Sequence, residues 1–562
     1  MPTLVCVSIF VEDIDSALSD AQLAKDGGAD LVEFRIDTFF DGGDDDDGGA
    51  YQLGQLRRLL DESPLPVILT CRPTWEGGEY DGDDSARVAL FEKLCADGPS
   101  SGQHHPPAYL DVELAAYNRS KNLRQKINLC VQHPKQQRDV TTRLILSTHD
   151  FDGRPADLER RLLAAYEEKA CAIVKVAFRA RSLRDNLELF DILGRAPKPT
   201  IALGMGEFGL MSRVLAPKFG GFLTFASLRD TAATAPGQPI LGELLGMYRF
   251  RKIGKDTKVY GVIGWPVSHS KSPLIHNAGF EELGWDGVYL PLPVAADEKD
   301  REASAVSFDA TVRALESHRG LHFKGASITL PHKEHAANYG IKPINPGVDE
   351  AIGAVNMLKW FDVDLSDDPP VLCQMTNTDA AAIIKVLKSA LPDRSFDSLR
   401  VKIYGAGGVA RAAAAALAVE GAIVEIENRD YVRAINLASD LEQALTHISG
   451  AGLICVNEKG TESPHPADLY INCTPVGMTD GPDPDGLSIP ITDMPHIDED
   501  TVFFDTVYTP AETPMLKAAR ERGCRTIDGV QMFVKQAAAQ FELWTGHRAP
   551  VELFDKLVRE SV

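Results

Sequence analysis

The 562-residue chain has no apolar run long enough to cross a bilayer, which takes about 20 consecutive residues, so a helical membrane protein is not expected. It also lacks a surplus of positive charge. Fifty-eight Lys and Arg face 81 Asp and Glu, a formal net charge of −23. Nucleic acid and anionic membrane surfaces are therefore not expected partners, because their phosphates repel such a protein. The nine cysteines are scattered, without the paired spacing of a disulfide framework, as in a reducing compartment. No His, Cys or carboxylate cluster has ligand spacing, so no metal is expected. A strand begins at Leu4, which leaves little room for a leader peptide. These absences together point to a cytoplasmic protein that acts on small molecules.

What is present is a long α/β chain, 44% hydrophobic and 25% charged, of a length that calls for two or three domains. Residues 1–248 repeat a rhythm of short apolar strand, loop and amphipathic helix. Strands start at Leu4, Leu31, Val67, Tyr109, Leu144, Ile173, Thr200 and Phe222. Eight such units in about 250 residues predict a (β/α)8 TIM barrel, whose sites form at the C-terminal mouth of the strands. Polar residues gather toward strand ends: Glu33, Arg35, Arg72, Asp111, Glu113, His149 and Lys175. Lys175 interrupts the apolar run Ala-Ile-Val-Lys-Val-Ala, and burying an amine disfavours its charged form, which frees a nucleophile. His149 closes the strand before it and could move protons near neutral pH. The acidic stretch Asp41 to Gly49 reads as a solvated loop rather than a metal site.

A polar, basic stretch from Arg249 to Lys258 marks a boundary. Beyond it lie a lobe over residues 256–380, completed by about 526–562, and a second lobe over 381–525. In the latter, a strand from Val401 runs into Gly405-Ala406-Gly407-Gly408-Val409-Ala410 and an alanine-rich helix. That is a G-x-G-x-x-A turn between strand and helix, the dinucleotide-binding arrangement of a Rossmann lobe. The next strand ends at Asn428-Arg429-Asp430, with Arg433 a turn later. The arginines suit the 2′-phosphate of NADP, whereas Asp430 would suit the ribose of NAD.

The first half resembles type I 3-dehydroquinate dehydratase through Val32-Glu-Phe-Arg-Ile-Asp37, Thr70-Cys-Arg-Pro-Thr-Trp-Glu-Gly-Gly78, Ser147-Thr-His-Asp-Phe151, Val174-Lys-Val-Ala177 and Met205 to Arg213. The resemblance implies that Lys175 forms a Schiff base with the substrate ketone. It further implies that His149 is the proton-transfer base and that Glu76 orients it. Ser8, Glu33, Arg35, Arg72, Arg213, Thr234 and Gln238 would then hold the substrate's carboxylate and hydroxyls.

The second half resembles shikimate dehydrogenase through Gly264-Trp-Pro-Val-Ser-His-Ser270-Lys-Ser272-Pro, Gly325 to Glu334, Gly353-Ala-Val-Asn356, Asn377-Thr-Asp379, Asn472 to Met478, Asp505 to Tyr508 and Gln531 to Gln536. This implies a two-lobed dehydrogenase in which Lys333 and Asp379 handle the C3 hydroxyl proton. Ser270, Ser272, Thr329, Asn356, Tyr508 and Gln536 would bind substrate. The glycine turn, Asn428, Arg429, Arg433, Thr474 and Gly529 would bind NADP. Ser327 departs from the asparagine of many bacterial members. Ser272 favours shikimate over quinate, so an NAD-dependent quinate enzyme is the rival reading.

Overall fold

The computed structural model describes the chain except residues 1, 41–47, 97–104, 133–140, 230–236, 298, 340–341, 345–347, 362–371, 457–465, 492–493 and 495. Thr234 and most of the acidic stretch after Phe40 thus lie outside the described residues. Two compact units are present, Met1–Thr257 and Lys258–Val562.

The first unit contains eight parallel strands, each followed by helical segments: β1 (Leu4–Phe10), β2 (Leu31–Arg35), β3 (Val67–Thr70), β4 (Tyr109–Glu113), β5 (Arg143–Asp150), β6 (Cys171–Arg179), β7 (Thr200–Met205) and β8 (Leu223–Ala226). Their order, β7-β6-β5-β4-β3-β2-β1-β8, is that of a barrel opened between its last two strands. A bond from the Phe222 N–H to the Thr200 carbonyl, 2.8 Å, bridges the gap.

Strand side chains alternate in direction, so every second residue points into the barrel. The lowest inward layer is apolar and includes Cys6, Leu31, Ile68, Ile145, Ile173, Ile201 and Leu223. Two residues further along the same strands the layer turns polar: Ser8, Glu33, Thr70, Asp111, Ser147 and Lys175 join Leu203 and Phe225. Lys175 and Asp111 therefore lie in mid-strand rather than at strand ends. The polar site is a layer inside the barrel, resting on an apolar floor.

The second unit holds two six-stranded sheets. The first comprises β9 (Lys258–Gly264), β10 (Gly287–Pro293), β11 (Phe323–Ile328), β12 (Lys342–Pro343), β13 (Met357–Phe361) and β14 (Leu372–Thr376) in the order β10-β9-β11-β13-β14-β12, with β13 antiparallel to both neighbours. The second comprises β15 (Arg400–Tyr404), β16 (Ile423–Glu427), β17 (Ile454–Val456), β18 (Leu469–Asn472), β19 (Val502–Asp505) and β20 (Arg525–Ile527). Its order, β17-β16-β15-β18-β19-β20, is parallel throughout and reverses direction at β15, the nucleotide-binding order.

One continuous helix, Thr378–Ala390, spans the residue-380 boundary and carries Asp379 in its first turn. The helix Gly529–Thr545 returns to the first lobe, where Phe533, Phe541 and Trp544 pack with Tyr260, Ile275 and Tyr289.

Candidate active sites

Inside the barrel, Lys175 Nζ donates to Asp111 Oδ2 at 2.8 Å and to Glu33 Oε1 at 3.5 Å, and lies 4.5 Å from the centre of the Phe225 ring. It is not the isolated amine that its apolar strand suggests, since carboxylates on β2 and β4 both meet it. Glu33 in turn accepts from Ser8 and, at 2.9 Å, from Thr70. Burial pushes the Glu33 carboxyl up, but Lys175 and Arg35 outweigh it and hold the group below its usual range. The Arg35 guanidinium pairs with Asp37 and lies over Phe10.

Arg72 is committed more fully than expected. Its guanidinium reaches Asp111 at 2.8 Å, Glu113 at 2.6 Å and Ser147 at 2.8 Å. It ties three strands together as well as facing the cavity. The cross-strand partners Asp111, Glu113 and Ser147 were not assigned site roles from the sequence. Only the register that sets Ser147 beside Lys175 and Asp111 beside Ile145 brings them in.

Glu76 ends the short turn Thr74–Glu76, and its Oε1 accepts from the His149 backbone N–H at 2.7 Å and ring Nδ1 at 3.1 Å. When the Glu76 carboxyl is ionised, Nδ1 carries the proton toward it and Nε2 keeps its lone pair for a substrate proton. Burial, then Arg72 and Lys175, hold His149 well below its usual range, so the ring is neutral near pH 7. Burial also pushes Glu76 up to about 8. The raised carboxyl keeps its proton up to that pH. Its contribution to stability is therefore full below about pH 4.3 and lost as pH rises through about 8. Above that point the ionised carboxylate strengthens His149 as a base. The kcat/KM for dehydration should rise through a limb near pH 8, and Glu76→Gln should remove the limb. A wild-type profile without it would contradict this pairing.

Arg213 is the exception in this well-paired lattice. On the helix Leu210–Val214 it is 2% exposed and makes no ion pair among the described residues, and its Nε has no hydrogen-bond partner. Burial pulls its guanidinium down to about 10. An uncompensated buried cation costs several kcal/mol, so a ligand anion would supply what is missing. Arg213, Arg72, Ser8, Glu33, Arg35, Glu76, His149, Lys175 and half-buried Gln238 line one cavity.

In the second unit Lys333 opens the helix Lys333–Ala337, and its Nζ lies 2.6 Å from Asp379 Oδ2 with both side chains buried. Asn377 caps the helix that presents Asp379 by accepting from the N–H groups of Asp379 and Ala380. A Cβ on Gly408 would come within 3.0 Å of Lys333 Cδ, so the absent side chain lets the lysine lie against the start of the nucleotide helix. Thr329 is similarly admitted by Gly264, whose Cβ would stand 2.2 Å from its methyl group. Ser272 begins the helix Ser272–Glu282, with its N–H directed to Ser270 Oγ at 3.3 Å. Tyr508 stacks on Phe533 at 4.3 Å. Asn356 bonds Thr378 through both ends of its amide, at 2.7 and 3.0 Å. Gln536 is half-buried. Gln540, one turn along the same face, is the buried one and binds Asn356 and Thr378. The sequence reading passed over Gln540, although its i+4 spacing from Gln536 was the available signal.

Beyond β15, Gly405 adopts φ +117°, and a Cβ there would stand 2.9 Å from the Cys473 carbonyl. Gly407 precedes the helix Gly408–Val419, whose first amides have no side-chain cap, while Ala410 is fully buried against the sheet and Ala406 and Val409 pack beside it. Uncapped amides at a helix start suit a pyrophosphate, so these residues fit a dinucleotide. Thr474 is fixed to Asn472 through its N–H at 2.9 Å, and Asn472 to Asp505 at 2.9 Å. Gly529 lies where any Cβ would meet the Val507 carbonyl at 2.1 Å. At the end of β16, Asp430 caps the helix Tyr431–Leu445 through Arg433 N–H, and Asn428 holds the Asp430 carbonyl. Glu427 pairs with Lys402 at 2.8 Å. Arg429 and Arg433 are exposed and make no ion pair among the described residues.

Three family models match the chain. Type I 3-dehydroquinase matches residues 5–255, the shikimate dehydrogenase substrate binding domain residues 262–358, and the shikimate 5′-dehydrogenase C-terminal domain residues 529–559. The chain is 35% identical to the chloroplastic bifunctional 3-dehydroquinate dehydratase/shikimate dehydrogenase of Arabidopsis thaliana, across 98% of this chain and 84% of that protein. The shikimate dehydrogenase (NADP(+)) of Methanocella arvoryzae is 34% identical over 54% of this chain and 99% of its own. A solved shikimate 5-dehydrogenase from Thermus thermophilus, in complex with NADP(H) and shikimate, is 28% identical over 54% of this chain and 100% of that one, with a TM-score of 0.42.

Proposed function

The chain belongs to the family of bifunctional 3-dehydroquinate dehydratase/shikimate dehydrogenases, and we infer from its two sites how it carries out the two consecutive reactions. The barrel dehydrates 3-dehydroquinate, and the second unit reduces the resulting 3-dehydroshikimate to shikimate.

In the barrel, the Lys175 amine adds to the C3 ketone and expels water to give an iminium. The iminium draws electrons from C2, and His149 Nε2 takes the C2 proton. The same proton then goes to the C1 hydroxyl, which departs as water, and hydrolysis restores the amine. Asp111 and Glu33, which lie against the Lys175 nitrogen, stabilise its positive charge in the iminium. Arg213 carries this reading, because a buried guanidinium without an ion pair among the described residues, in a cavity with an amine and a neutral imidazole, calls for an anionic substrate. Arg213→Leu should have opposite effects on stability and function. The ligand-free barrel should melt at a higher temperature, while kcat/KM for 3-dehydroquinate falls about 100- to 1,000-fold, the worth of a buried charge pair. A lower melting temperature with unchanged KM would refute the assignment.

In the second unit, Lys333 gives its proton to the C3 oxygen during reduction and takes it back during oxidation, with Asp379 holding the ammonium in place. A bound nicotinamide dinucleotide supplies the hydride. Gly405 to Ala410, Thr474 and Gly529 would hold it, with Ser270, Ser272, Thr329, Asn356, Tyr508 and Gln536 on the substrate.

The reductant is NADPH. Asp430 is occupied in capping and Glu427 in pairing, which leaves Arg429 and Arg433 for the 2′-phosphate. The Methanocella relative is likewise named for NADP(+). Replacing both arginines by alanine should reduce the NADPH-over-NADH preference about 10- to 100-fold, measured as a ratio of kcat/KM values. An unchanged ratio would favour NAD and the quinate reading.

All nine cysteines are free thiols, which supports a reducing compartment such as the cytoplasm. Among the described residues no helix is long and apolar enough to cross a membrane.

A further inference from the structure

Behind the reductase site runs a line of buried polar side chains that the reaction scheme does not use. Tyr289 OH lies 2.6 Å from Ser327 Oγ, and Ser327 Oγ lies 2.5 Å from Gln540 Oε1. Gln540 Nε2 reaches the Asn356 carbonyl at 3.0 Å and Thr378 Oγ1 at 3.2 Å. All five residues are at most 6% exposed.

The direction of every bond is fixed by what each group can do. A backbone carbonyl only accepts, so the Gln540 amide nitrogen faces Asn356 and its oxygen faces Ser327. Ser327 must then donate to Gln540 and accept from Tyr289. The starting point is also pinned. Asn277 brackets the Tyr289 backbone with two 2.8 Å bonds, and the His276 ring stacks on the phenol at 4.5 Å. His276 and Asn277 belong to the helix that Ser272 begins, so through them Tyr289 ties the head of the line to the Ser272 end of the site. At its far end Thr378 precedes Asp379. Asn356 spends one Nδ2 hydrogen on Thr378 and keeps the other for a ligand.

We propose that Tyr289, Ser327 and Gln540 are positioning residues of the reductase, a buried donor relay that couples the Ser272 end of the substrate site to the Asn356–Thr378–Asp379 end. The inference rests on the substrate-site reading above. A purely space-filling core could use phenylalanine, alanine and leucine here, without the cost of burying polar groups. The relay holds the Asn356 amide and the start of the Asp379 helix in register with Ser272. The substrate's two ends are then met by one rigid frame.

A double-mutant cycle tests it. Tyr289 and Thr378 share no direct bond in this line, so in the absence of a relay their substitutions act independently on kcat/KM. The full-length wild type, Tyr289→Phe, Thr378→Val and the double variant are assayed for NADP-dependent shikimate oxidation, kcat and KM being separated. Each single change is expected to lower kcat/KM about tenfold, mainly through KM for shikimate, with KM for NADP unchanged. The double variant should lose at least about threefold less than the product of the two. Losses that multiply to within about twofold overturn the relay. If Thr378→Val does not fold, Thr378→Ala takes its place. Lys333→Ala separates the two levels. If it keeps shikimate oxidation, the site reading itself fails, whereas an inactive Lys333→Ala with an additive cycle removes the relay alone.

Discussion

Lys175→Ala abolishes dehydration of 3-dehydroquinate, lowering kcat about 10,000-fold or more, while the same protein reduces 3-dehydroshikimate with NADPH at the wild-type rate. The magnitude is that of removing a covalent nucleophile, since no other amine in the cavity can form the imine. The environment of Lys175 adds a second expectation. Asp111 and Glu33 are buried against it at 2.8 and 3.5 Å, and Asp111 keeps Arg72 when the lysine is gone, whereas Glu33 loses its nearest cation. The variant barrel should therefore melt at a lower temperature, since a buried carboxylate without its partner is costly. His149→Ala, which leaves the amine and its two carboxylates in place, controls for that loss. It should be nearly as inactive, yet still form the imine, so borohydride should fix added 3-dehydroshikimate onto wild type and His149→Ala and not onto Lys175→Ala. Dehydration persisting in Lys175→Ala above one per cent of wild type would exclude covalent catalysis.

Lys333→Ala gives the reverse pattern. Shikimate oxidation falls about 100- to 10,000-fold, the usual worth of a positioned acid or base, and dehydration is unchanged. The lysine stem rests on Gly408 and its amine lies 2.6 Å from Asp379, so the proton donor and the nucleotide helix are placed by one contact. Asp379→Asn, nearly isosteric, should lose most of the activity too, because the ammonium is then held by a neutral amide. The KM for NADPH should stay close to wild type in both variants, since neither group belongs to the glycine turn. Equal losses of both activities in either variant would refute the separation of the two sites.

The barrel and its eight strands were legible because each strand is a short apolar run, buried along its length and followed by a loop and an amphipathic helix. The nucleotide lobe was legible because its glycines and alanines answer local steric demands, at Gly405 and Ala410 above all. What escaped depends on contacts between distant segments. Asp111 could be seen as a polar residue on a strand, but its 2.8 Å bond to Lys175 arises from the register of β4, β5 and β6. Arg72 was read as a substrate anchor, and only folding shows how many of its donors the barrel's own carboxylates take. Asp430 was read as suited to the ribose of NAD, and its capping bond to Arg433 N–H gives it another task. Gln540 reaches Asn356 across 184 positions of sequence, a separation that no local pattern encodes.

The most direct measurement supplies purified protein with 3-dehydroquinate and NADPH, with no added intermediate, and follows cofactor oxidation while identifying the product. The account predicts that shikimate accumulates with one NADPH consumed per molecule formed. Failure to consume 3-dehydroquinate, while added 3-dehydroshikimate is still reduced, would contradict the role given to Lys175 and the barrel around it.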